Sequence, residues 1–420
     1  MGEPRSNHGR DQSLFAMLPE IHQLMNLDPD LAQIAESLPH GLLTRPAIDL
    51  DPAPIRTLVK ASSIVITGAG GSIGAELSRQ IANFKPSRLV LLDRSERGLF
   101  EIERELTRRA ASPVALIADV TDPKRIDAVM KAHAPDIVFH AAAHKHVPLM
   151  EANPCEAVKN NVRGTRVVAE AAERHHVGRF ILISSDKAVN PVSVMGATKR
   201  VAELLLRKMG QTSRTRFATV RFGNVLGSSG SVVPQFLHQI KTGGPLTVTH
   251  PDMYRYFMLI GEAALLVLHA ASAVECSSTY ILEMGKPIRI LDIAKGLAEL
   301  ARRRSGKEIG IEFIGARPGE KLCEQIIDTD ETAAATGVNN LMMVQSATQP
   351  RSDFLARLRV LEDAALDENS AAVMLLLREL GMTNGRGTEQ ASERGSSISI
   401  LDGAHSSIES RARILTIRSR

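Results

Sequence analysis

The segment IVITGAGGSIG, residues 64–74, joins a short apolar run to a glycine-rich turn, and the helical sequence AELSRQI follows it directly. In a strand, turn and helix of this kind, Gly68 permits the tight turn and Gly71 lets the backbone approach a pyrophosphate, while Gly74 lets helix and strand pack closely. The helix N-terminus adds amide donors and partial positive charge. Because the glycines lie between a strand and a helix, they predict a dinucleotide-binding fold.

Short apolar runs alternate with amphipathic stretches after this segment, which is typical of parallel strands connected by helices. Most of these runs end just before glycine or a polar residue, at the edge where open α/β sheets bind ligands. We therefore predict an α/β fold, a Rossmann doubly wound parallel sheet with a smaller, more irregular C-terminal substrate-binding part. The predicted strands cover residues 64–67, 88–92, 114–118, 136–139, 179–183 and 217–220.

The 420 residues divide into five predicted parts. Residues 1–60 form a helical lead-in broken by prolines, and residues 61–225 form the NAD(P)-binding Rossmann core. Residues 226–345 form the substrate-binding part, interleaved with the core, and residues 346–380 form a helical segment. Residues 381–420 are rich in serine and are expected to be a mobile tail.

Composition argues against several classes of protein. The formal charge is only +4, no Trp is present and aromatic residues make up 3%, so we expect no nucleic-acid partner. Cys155, Cys276 and Cys323 are far apart, which fits neither a disulfide framework nor a zinc site. No apolar run reaches about 18 residues, and the first residues do not form a signal peptide. We expect a soluble, cytoplasmic chain without membrane insertion.

The acidic residue that ends the second strand bears on the choice of cofactor. Asp93 comes 25 residues after Gly68, where a carboxylate accepts hydrogen bonds from the adenosine ribose, and this favours NAD. Its neighbour Arg94 would suit a 2′-phosphate, so NADP stays open. The other residues expected to bind the cofactor are Gly70, Ser72, Ile73, Asp119, Val120, Ala141, Ala142 and Lys199.

The sequence SSDK follows the fifth strand, and MGATK begins the next helix, so that Met195 and Lys199 share one helical face. Together with HAAAHKHVPLME (140–151), SSDKAVNP (184–191), RFGNVLGS (221–228) and RPGEK (317–321), these motifs resemble the UDP-N-acetylglucosamine 4,6-dehydratases of polysaccharide biosynthesis. That family belongs to the extended short-chain dehydrogenase/reductase superfamily. The resemblance covers roughly residues 41–345.

One position departs from the superfamily pattern. The tyrosine that normally acts as a base is replaced by Met195, whose thioether neither accepts nor relays a proton. The replacement resembles a subgroup of the family, typically the C5-retaining enzymes. Met195 is expected to fill the volume of the tyrosine and to keep the substrate oriented.

The resemblance implies a reaction and roles for its residues. Sugar C4 is oxidised by hydride transfer to a tightly bound, recycled nicotinamide, water is lost across C5 and C6, and the hydride returns to C6. Lys187 would be the C5 base and Asp186 the acid for the C6 hydroxyl, which requires a neutral lysine and a protonated carboxyl. Lys199 is expected to lower the pKa of Lys187. The C4 base stays open among Ser185 through water, Lys199 and Asp186, and we favour Asp186 with Ser185.

A UDP-sugar substrate requires phosphate and sugar contacts, for which arginine forks are well suited. No metal is expected, since His140, His144 and His146 lack a carboxylate at ligand spacing. The resemblance also implies a homo-oligomer. The residues expected to contact the substrate are Lys145, His146, Asn224, Arg255, Arg317 and Glu320.

Two alternatives stay open. A nucleotide-sugar epimerase shares the cofactor, the fold and the oxidation at C4, but it needs no acid and base pair to eliminate water, so Asp186 and Lys187 favour dehydration. A protein that binds NAD(H) without turnover would explain Met195. The C5 stereochemistry and the glycan that receives the sugar also stay open.

Overall fold

A nine-stranded sheet organises the residues that the computed structural model describes, which are 50–228, 230–274, 277–346 and 349–382. All of them belong to the first of two compact units, Met1–Met382. The predicted lead-in up to residue 49 and the predicted tail from residue 383 lie outside the described residues. Of the lead-in, helix α1 (Ala53–Val59) is described.

The strands are numbered in chain order. They are β1 (Ser63–Thr67), β2 (Arg88–Asp93), β3 (Val114–Ile117), β4 (Ile137–His140), β5 (Arg179–Ile183), β6 (Arg216–Arg221), β7 (Asn224–Leu226), β8 (Leu246–Val248), β9 (Tyr254–Arg255), β10 (Phe257–Leu259), β11 (Ser278–Leu282), β12 (Ile288–Arg289), β13 (Ile311–Phe313), β14 (Glu331–Ala335) and β15 (Leu341–Ser346). All six predicted strands are present, and each predicted boundary lies within one residue of the observed one.

The helices after α1 are also numbered in chain order. They are α2 (Ser72–Asn83), α3 (Glu96–Arg108), α4 (Pro123–His133), α5 (Val147–Ala152), α6 (Pro154–Ala157), α7 (Gly164–Arg174), α8 (Val194–Met209), α9 (Val232–Lys241), α10 (Ile260–Ala273), α11 (Ile290–Ser305), α12 (Phe354–Leu366) and α13 (Ser370–Leu380). A π-helical turn, Val158–Arg163, precedes α7, and a 3₁₀ turn, Asp186–Ala188, follows β5.

The sheet has the order β14-β15-β11-β6-β5-β4-β1-β2-β3. Strands β1 to β6 and β11 run parallel, whereas β15 is antiparallel to both of its neighbours. The chain moves outward in one direction from β1 to β3 and in the other from β4 to β6, so β1 and β4 flank the topological switch point where such sheets bind ligands. The predicted doubly wound Rossmann fold is confirmed.

Apolar clusters cover both faces of the sheet, because each buried strand presents side chains to both sides. Residues of α2, α3 and α10 form the cluster on one face, and residues of α4, α7 and α8 form the other. A third cluster joins α12 and α13 to α8. Among the described residues, no helix combines the length and the apolarity needed to cross a bilayer.

The chain beyond residue 225 contributes to two regions. Strands β11, β14 and β15 extend the main sheet. The short pairs β8 with β13 and β9 with β12 lie apart from it, and α9 and α11 pack together in a separate apolar cluster. The two regions therefore alternate along the sequence.

Candidate active site

The glycine-rich turn between β1 and α2 is closely packed on one side and open on the other. Gly68 has a φ of +67°, and a Cβ there would lie 2.5 Å from the backbone nitrogen of Ala142. A Cβ on Gly74 would lie 2.0 Å from the carbonyl oxygen of Gly68. On Gly71, by contrast, it would meet only that oxygen, at 3.3 Å. Gly68 and Gly74 are therefore required by packing, while Gly71 keeps the approach to the helix N-terminus clear.

A cavity of about 240 Å³ opens beside this turn, at the carboxyl ends of β1 and β2. The N-cap residue of α2 is Gly71, which has no side chain that could cap the helix. Of the residues predicted to bind cofactor, those that line the cavity are Gly68, Gly70, Gly71, Asp93, Arg94, Val120, Ala141 and Ala142. The other predicted cofactor residues do not line it; they are Ser72, Ile73, Gly74, Asp119 and Lys199.

Backbone amides hold the carboxylate of Asp93. Gly70 N donates to Oδ2 at 2.9 Å and Ser95 N donates to Oδ1 at 2.8 Å. Arg94 turns toward the loop after β4, where its Nη2 lies 3.0 Å from Nε2 of His144. Burial lowers the pKa of His144, and the charge of Arg94 adds to this effect. An acidic side chain thus has a defined orientation in the cavity, as ribose binding requires.

His140 lies beneath the cavity as a structural residue. It is fully buried, with Nδ1 2.8 Å from the hydroxyl of Thr67 and Nε2 3.1 Å from that of Thr165. Burial lowers its pKa to about 3, and the charge of Lys199 adds to this, so the ring is neutral at ordinary pH. Within the described ranges, no three His, Cys, Asp or Glu side chains are grouped to hold a metal ion.

Asp186 and Lys187 are brought together at the carboxyl end of β5. Ser185 caps the 3₁₀ turn and donates from its hydroxyl to Oδ1 of Asp186 at 2.9 Å. Lys187 Nζ lies 3.0 Å from the same Oδ1 and 3.3 Å from Oδ1 of Asn224. Oδ2 of Asp186 is buried and has no hydrogen-bond partner in the described part of the chain. The four side chains form one polar group next to the switch point.

Residues that sequence reasoning missed enclose this group. Gly223 lies so close that a Cβ there would be 3.0 Å from Oδ2 of Asp186 and 3.0 Å from Cβ of Tyr256. The pKa of Tyr256 is raised by burial and, in turn, by Cys323 and Asp186. Gly223 lies within the RFGNVLGS motif, although only Asn224 of that motif was singled out, whereas no local signal connects Tyr256 and Cys323 to the SSDK motif.

Lys321 is a second cation beside the same group. Its Nζ donates at 2.8 Å to the carbonyl of Val189, which comes two residues after Lys187. Burial lowers the pKa of Lys321; Glu324 and Asp186 oppose this effect, and Lys187 adds to it. The RPGEK motif contains this lysine, but only Arg317 and Glu320 were singled out from the sequence.

Met195 and Lys199 both lie on α8, as their spacing predicts. Met195 is 3% exposed and belongs to an apolar cluster with Val147 and Met150. Lys199 Nζ donates to the carbonyl of Ile183 at 2.7 Å, and burial lowers its pKa to about 8 against the opposing charge of Glu203. Lys199 thus holds the end of β5, directly before the SSDK motif.

The other residues predicted to contact substrate differ in exposure. Lys145 and His146 are exposed at the start of α5. The ring of His146 is nevertheless partly buried, and this burial lowers its pKa. Arg255 is buried, and its Nη1 donates to the carbonyls of Tyr254 and Leu322 at 2.7 and 3.2 Å.

Arg317 and Glu320 lie in one turn. The backbone nitrogen of Arg317 donates to the Glu320 carboxylate at 3.3 Å. Gly319, between them, packs against Glu151, whose carboxylate accepts from Val194 N at the start of α8. The turn is therefore anchored to the helix that carries Lys199, and the side chain of Arg317 is exposed.

A network of buried ion pairs lies next to the polar group that Ser185, Asp186, Lys187 and Asn224 form. Arg221, which has no exposed surface, pairs through Nη2 with Glu203 at 2.6 Å and through Nη1 with Glu331 at 2.6 Å. The hydroxyl of Ser184 donates to Glu203 at 2.6 Å. The network connects β6, α8 and β14 to the residue just before Ser185.

The model of a family described as polysaccharide biosynthesis protein matches residues 64–346. The chain belongs to this family. The capsular polysaccharide biosynthesis protein CapD of Staphylococcus aureus is 47% identical over 322 residues, which are 76% of this chain and 53% of CapD. The chain thus spans about half the length of the first curated relatives that it matches.

Relatives of this family include two kinds of nucleotide-sugar enzyme. The UDP-glucose 4-epimerase of Rickettsia canadensis is 37% identical over 65% of this chain and 80% of its own. The inverting UDP-N-acetylglucosamine 4,6-dehydratase of Campylobacter jejuni is 34% identical over 64% of this chain and 78% of its own. The relatives of this chain thus include an epimerase and a dehydratase, both of which act on UDP-sugars.

Solved structures agree on the fold. The structure of Pen from Bacillus thuringiensis superposes with a TM-score of 0.65 at 34% identity, covering 69% of this chain and 90% of Pen. The UDP-glucose 4-epimerase of Thermus thermophilus in complex with NAD gives a TM-score of 0.54 at 21% identity, over 63% of this chain and 89% of its own. The second likeness concerns the fold alone.

Proposed function

We propose that this protein is a hydro-lyase that dehydrates a UDP-sugar, UDP-N-acetylglucosamine, to the 4-keto-6-deoxy product. The observation that carries the proposal is the contact between Asp186 and Lys187, with the second carboxylate oxygen buried and unpartnered in the described residues. An elimination needs an acid and a base close together, whereas epimerisation at C4 needs no such pair. The relative from Campylobacter jejuni, named as a dehydratase, adds support.

The residues around the cavity fit a dinucleotide. The glycine N-cap of α2, the clear approach at Gly71 and the oriented carboxylate of Asp93 match pyrophosphate and ribose. We propose NAD as the tightly bound, recycled cofactor, because both oxygens of Asp93 are held by amides while Arg94 turns to His144. When bound, the nicotinamide supplies the hydride acceptor for C4 and the hydride donor for C6.

Each proton transfer is assigned to an atom of this chain. Lys187 Nζ, in its neutral form, takes the proton from C5, which the C4 ketone makes acidic, and gives a proton back to C5 when hydride adds to C6. Asp186 protonates the C6 hydroxyl as it leaves, and its unpartnered Oδ2 is the oxygen that can carry this proton without losing a hydrogen bond. Asn224 holds the amine between the two steps through its side-chain oxygen.

The proton of the C4 hydroxyl needs another acceptor, because the thioether of Met195 cannot take a proton. We propose that Asp186 and Ser185 take it, directly or through a water. Their hydrogen bond of 2.9 Å gives a path between the hydroxyl and the carboxylate. Met195 packs in an apolar cluster and would act by filling space.

The substrate contacts and the assembly are also proposals. The exposed guanidinium of Arg317, in its anchored turn with Glu320, would bind the diphosphate, and Lys145 and His146 would contact the sugar. Arg255 would contribute its remaining donors. The assembly is proposed to be a homo-oligomer.

Mass spectrometry of a reaction with UDP-N-acetylglucosamine and NAD tests the function. Dehydration removes one water from the sugar nucleotide. An epimerase, the second candidate because a named epimerase is 37% identical, would leave the mass unchanged and alter the sugar's proton coupling constants. An unreacted substrate in the presence of bound NAD would favour a non-catalytic protein and contradict the proposal.

A further inference from the structure

The amino edge of the main sheet, opposite the candidate active site, carries a second cavity. It has a volume of about 520 Å³ and lies where β4 and β5 begin, close to the end of α1. Its lining contains four cationic side chains and one carboxylate, that of Asp136. The cationic side chains are Lys60, Arg179, Arg214 and Arg216. The cavity therefore has a formal charge of +3, not counting His176, which also lines it.

Two of the cations are held side by side by the sheet itself. Arg179 begins β5 and Arg216 begins β6, and the two are register partners in this parallel pair. Their side chains therefore project in the same direction from adjacent strands, and their charges repel. Burial lowers the pKa of Arg179, and the charge of Arg216 lowers it further. An anion between the two guanidinium groups would relieve this repulsion.

No carboxylate of the described residues supplies that anion. None of the four cations forms an ion pair within the part of the chain that the structure describes, and Nε of Arg179 is buried there without any partner. Asp136 directs Oδ2 to the backbone nitrogen of Ser63, at 2.7 Å. Most of the other described arginines form an ion pair with a carboxylate, as Arg79 does with Glu105 and Arg357 does with Asp353.

We propose that this cavity is a binding site for a compact, multiply charged phosphate, of which inorganic pyrophosphate is the simplest example. Arginine forks bind phosphate oxygens through two donors each, and a concave site of this charge concentrates such anions. The cavity lining contains no Phe, Tyr or Trp on which a base could stack, so recognition would rest on the phosphate groups. The phosphates could be free or belong to a nucleotide or lipid, and the cavity's concave shape favours a free group.

Isothermal titration of the full chain with pyrophosphate tests this site, at constant ionic strength and with saturating NAD and UDP to block the active site. The wild type should bind one equivalent of pyrophosphate. The double variant Arg179→Gln/Arg216→Gln should bind at least tenfold more weakly. The control Arg97→Gln/Arg303→Gln removes two charges from exposed arginines on α3 and α11 and should bind as the wild type does.

Three results would overturn the proposal: no binding to the wild type, equal binding to the double variant, or an equal loss in the control. Arg214 is exposed, so the variant Arg214→Gln should fold. It should also weaken pyrophosphate binding at least threefold, and it therefore tests the proposal if the double variant fails to fold. Sedimentation with phosphatidylglycerol vesicles distinguishes the source of the phosphate. Vesicle binding that depends on these arginines, without pyrophosphate binding, would contradict a site for a compact anion.

Discussion

Lys187 Nζ lies 3.0 Å from Oδ1 of Asp186, while Oδ2 of the same carboxylate is buried without a hydrogen-bond partner in the described part of the chain. The two oxygens therefore have different environments. Oδ1 accepts from the Lys187 ammonium and from the Ser185 hydroxyl, whereas Oδ2 faces no donor among the described residues. Under the proposed function, this difference would let Asp186 hold Lys187 through one oxygen and act as an acid through the other.

Replacing Lys187 by Ala should reduce product formation by ~10³-fold, within the range of general-base catalysis. C4 oxidation precedes removal of the C5 proton, so the variant should still accumulate reduced nicotinamide on mixing with substrate. Absorbance of the reduced cofactor and mass spectrometry of the sugar measure the two steps. Lys241→Ala, at the exposed end of α9, serves as the control and should retain full turnover. Normal turnover of the Lys187 variant would remove the assignment.

Asp186→Asn keeps an acceptor for Ser185 and Lys187 but has no acidic proton. If Asp186 and Ser185 also accept the C4 proton, neither product nor reduced nicotinamide should form, and turnover should fall by at least ~10²-fold. The same absorbance measurement distinguishes this variant from Lys187→Ala. Reduced nicotinamide in the Asn variant would assign C4 oxidation to another base.

Acid should destabilise the fold through His140. The pKa of His140 is about 3 in the folded chain, whereas its ordinary value, which applies to the unfolded chain, is 6.5. Below pH 6.5 the unfolded chain therefore binds a proton that the folded chain does not bind. Stability is therefore lost as the pH falls from 6.5 toward 3, by about 2 kcal/mol at pH 5. Urea unfolding at pH 7 and pH 5 measures the loss. His140→Asn should show a smaller loss, and an equal one would show that other groups cause it.

Gly71→Ala and Gly74→Ala form a matched pair. The Gly74 variant places a Cβ 2.0 Å from a backbone oxygen and should lose about 3 kcal/mol of stability or fail to fold. The Gly71 variant meets only one oxygen at 3.3 Å, so it should melt near the wild-type temperature and bind NAD at least tenfold more weakly. Calorimetric melting and NAD titration measure both. Unchanged NAD affinity in the Gly71 variant would argue against pyrophosphate at this turn.

Arg221→Met leaves Glu203 and Glu331 as unpaired charges in the interior. The free energy of unfolding should fall by about 3 to 5 kcal/mol, as for other buried pairs that lose one partner. Arg303→Met, which breaks only an exposed pair with Glu299, should change stability by less than about 1 kcal/mol. Denaturant titration compares the two variants. A similar small effect at Arg221 would mean that the network contributes little to stability.

Much of the cofactor site could be predicted because its determinants are local. A strand, three glycines and a helix lie within residues 64–81, and the alternation of apolar runs located six strands within one residue. Ser185, Asp186 and Lys187 are consecutive, so their proximity required no knowledge of the fold. The choice between NAD and NADP was harder, because the direction of Arg94 depends on His144, fifty residues further along the chain.

The parallel sheet, the glycine turn and the proximity of Asp186 to Lys187 were predictable because periodicity and short motifs depend only on neighbouring residues. The charges that surround them depend on the fold. Lys321 reaches the same polar group from a distant segment, and Arg221 meets Glu331 across 110 residues. The fold also set Arg179 beside Arg216, because strand register, which no local pattern specifies, determines which side chains of separate strands become neighbours.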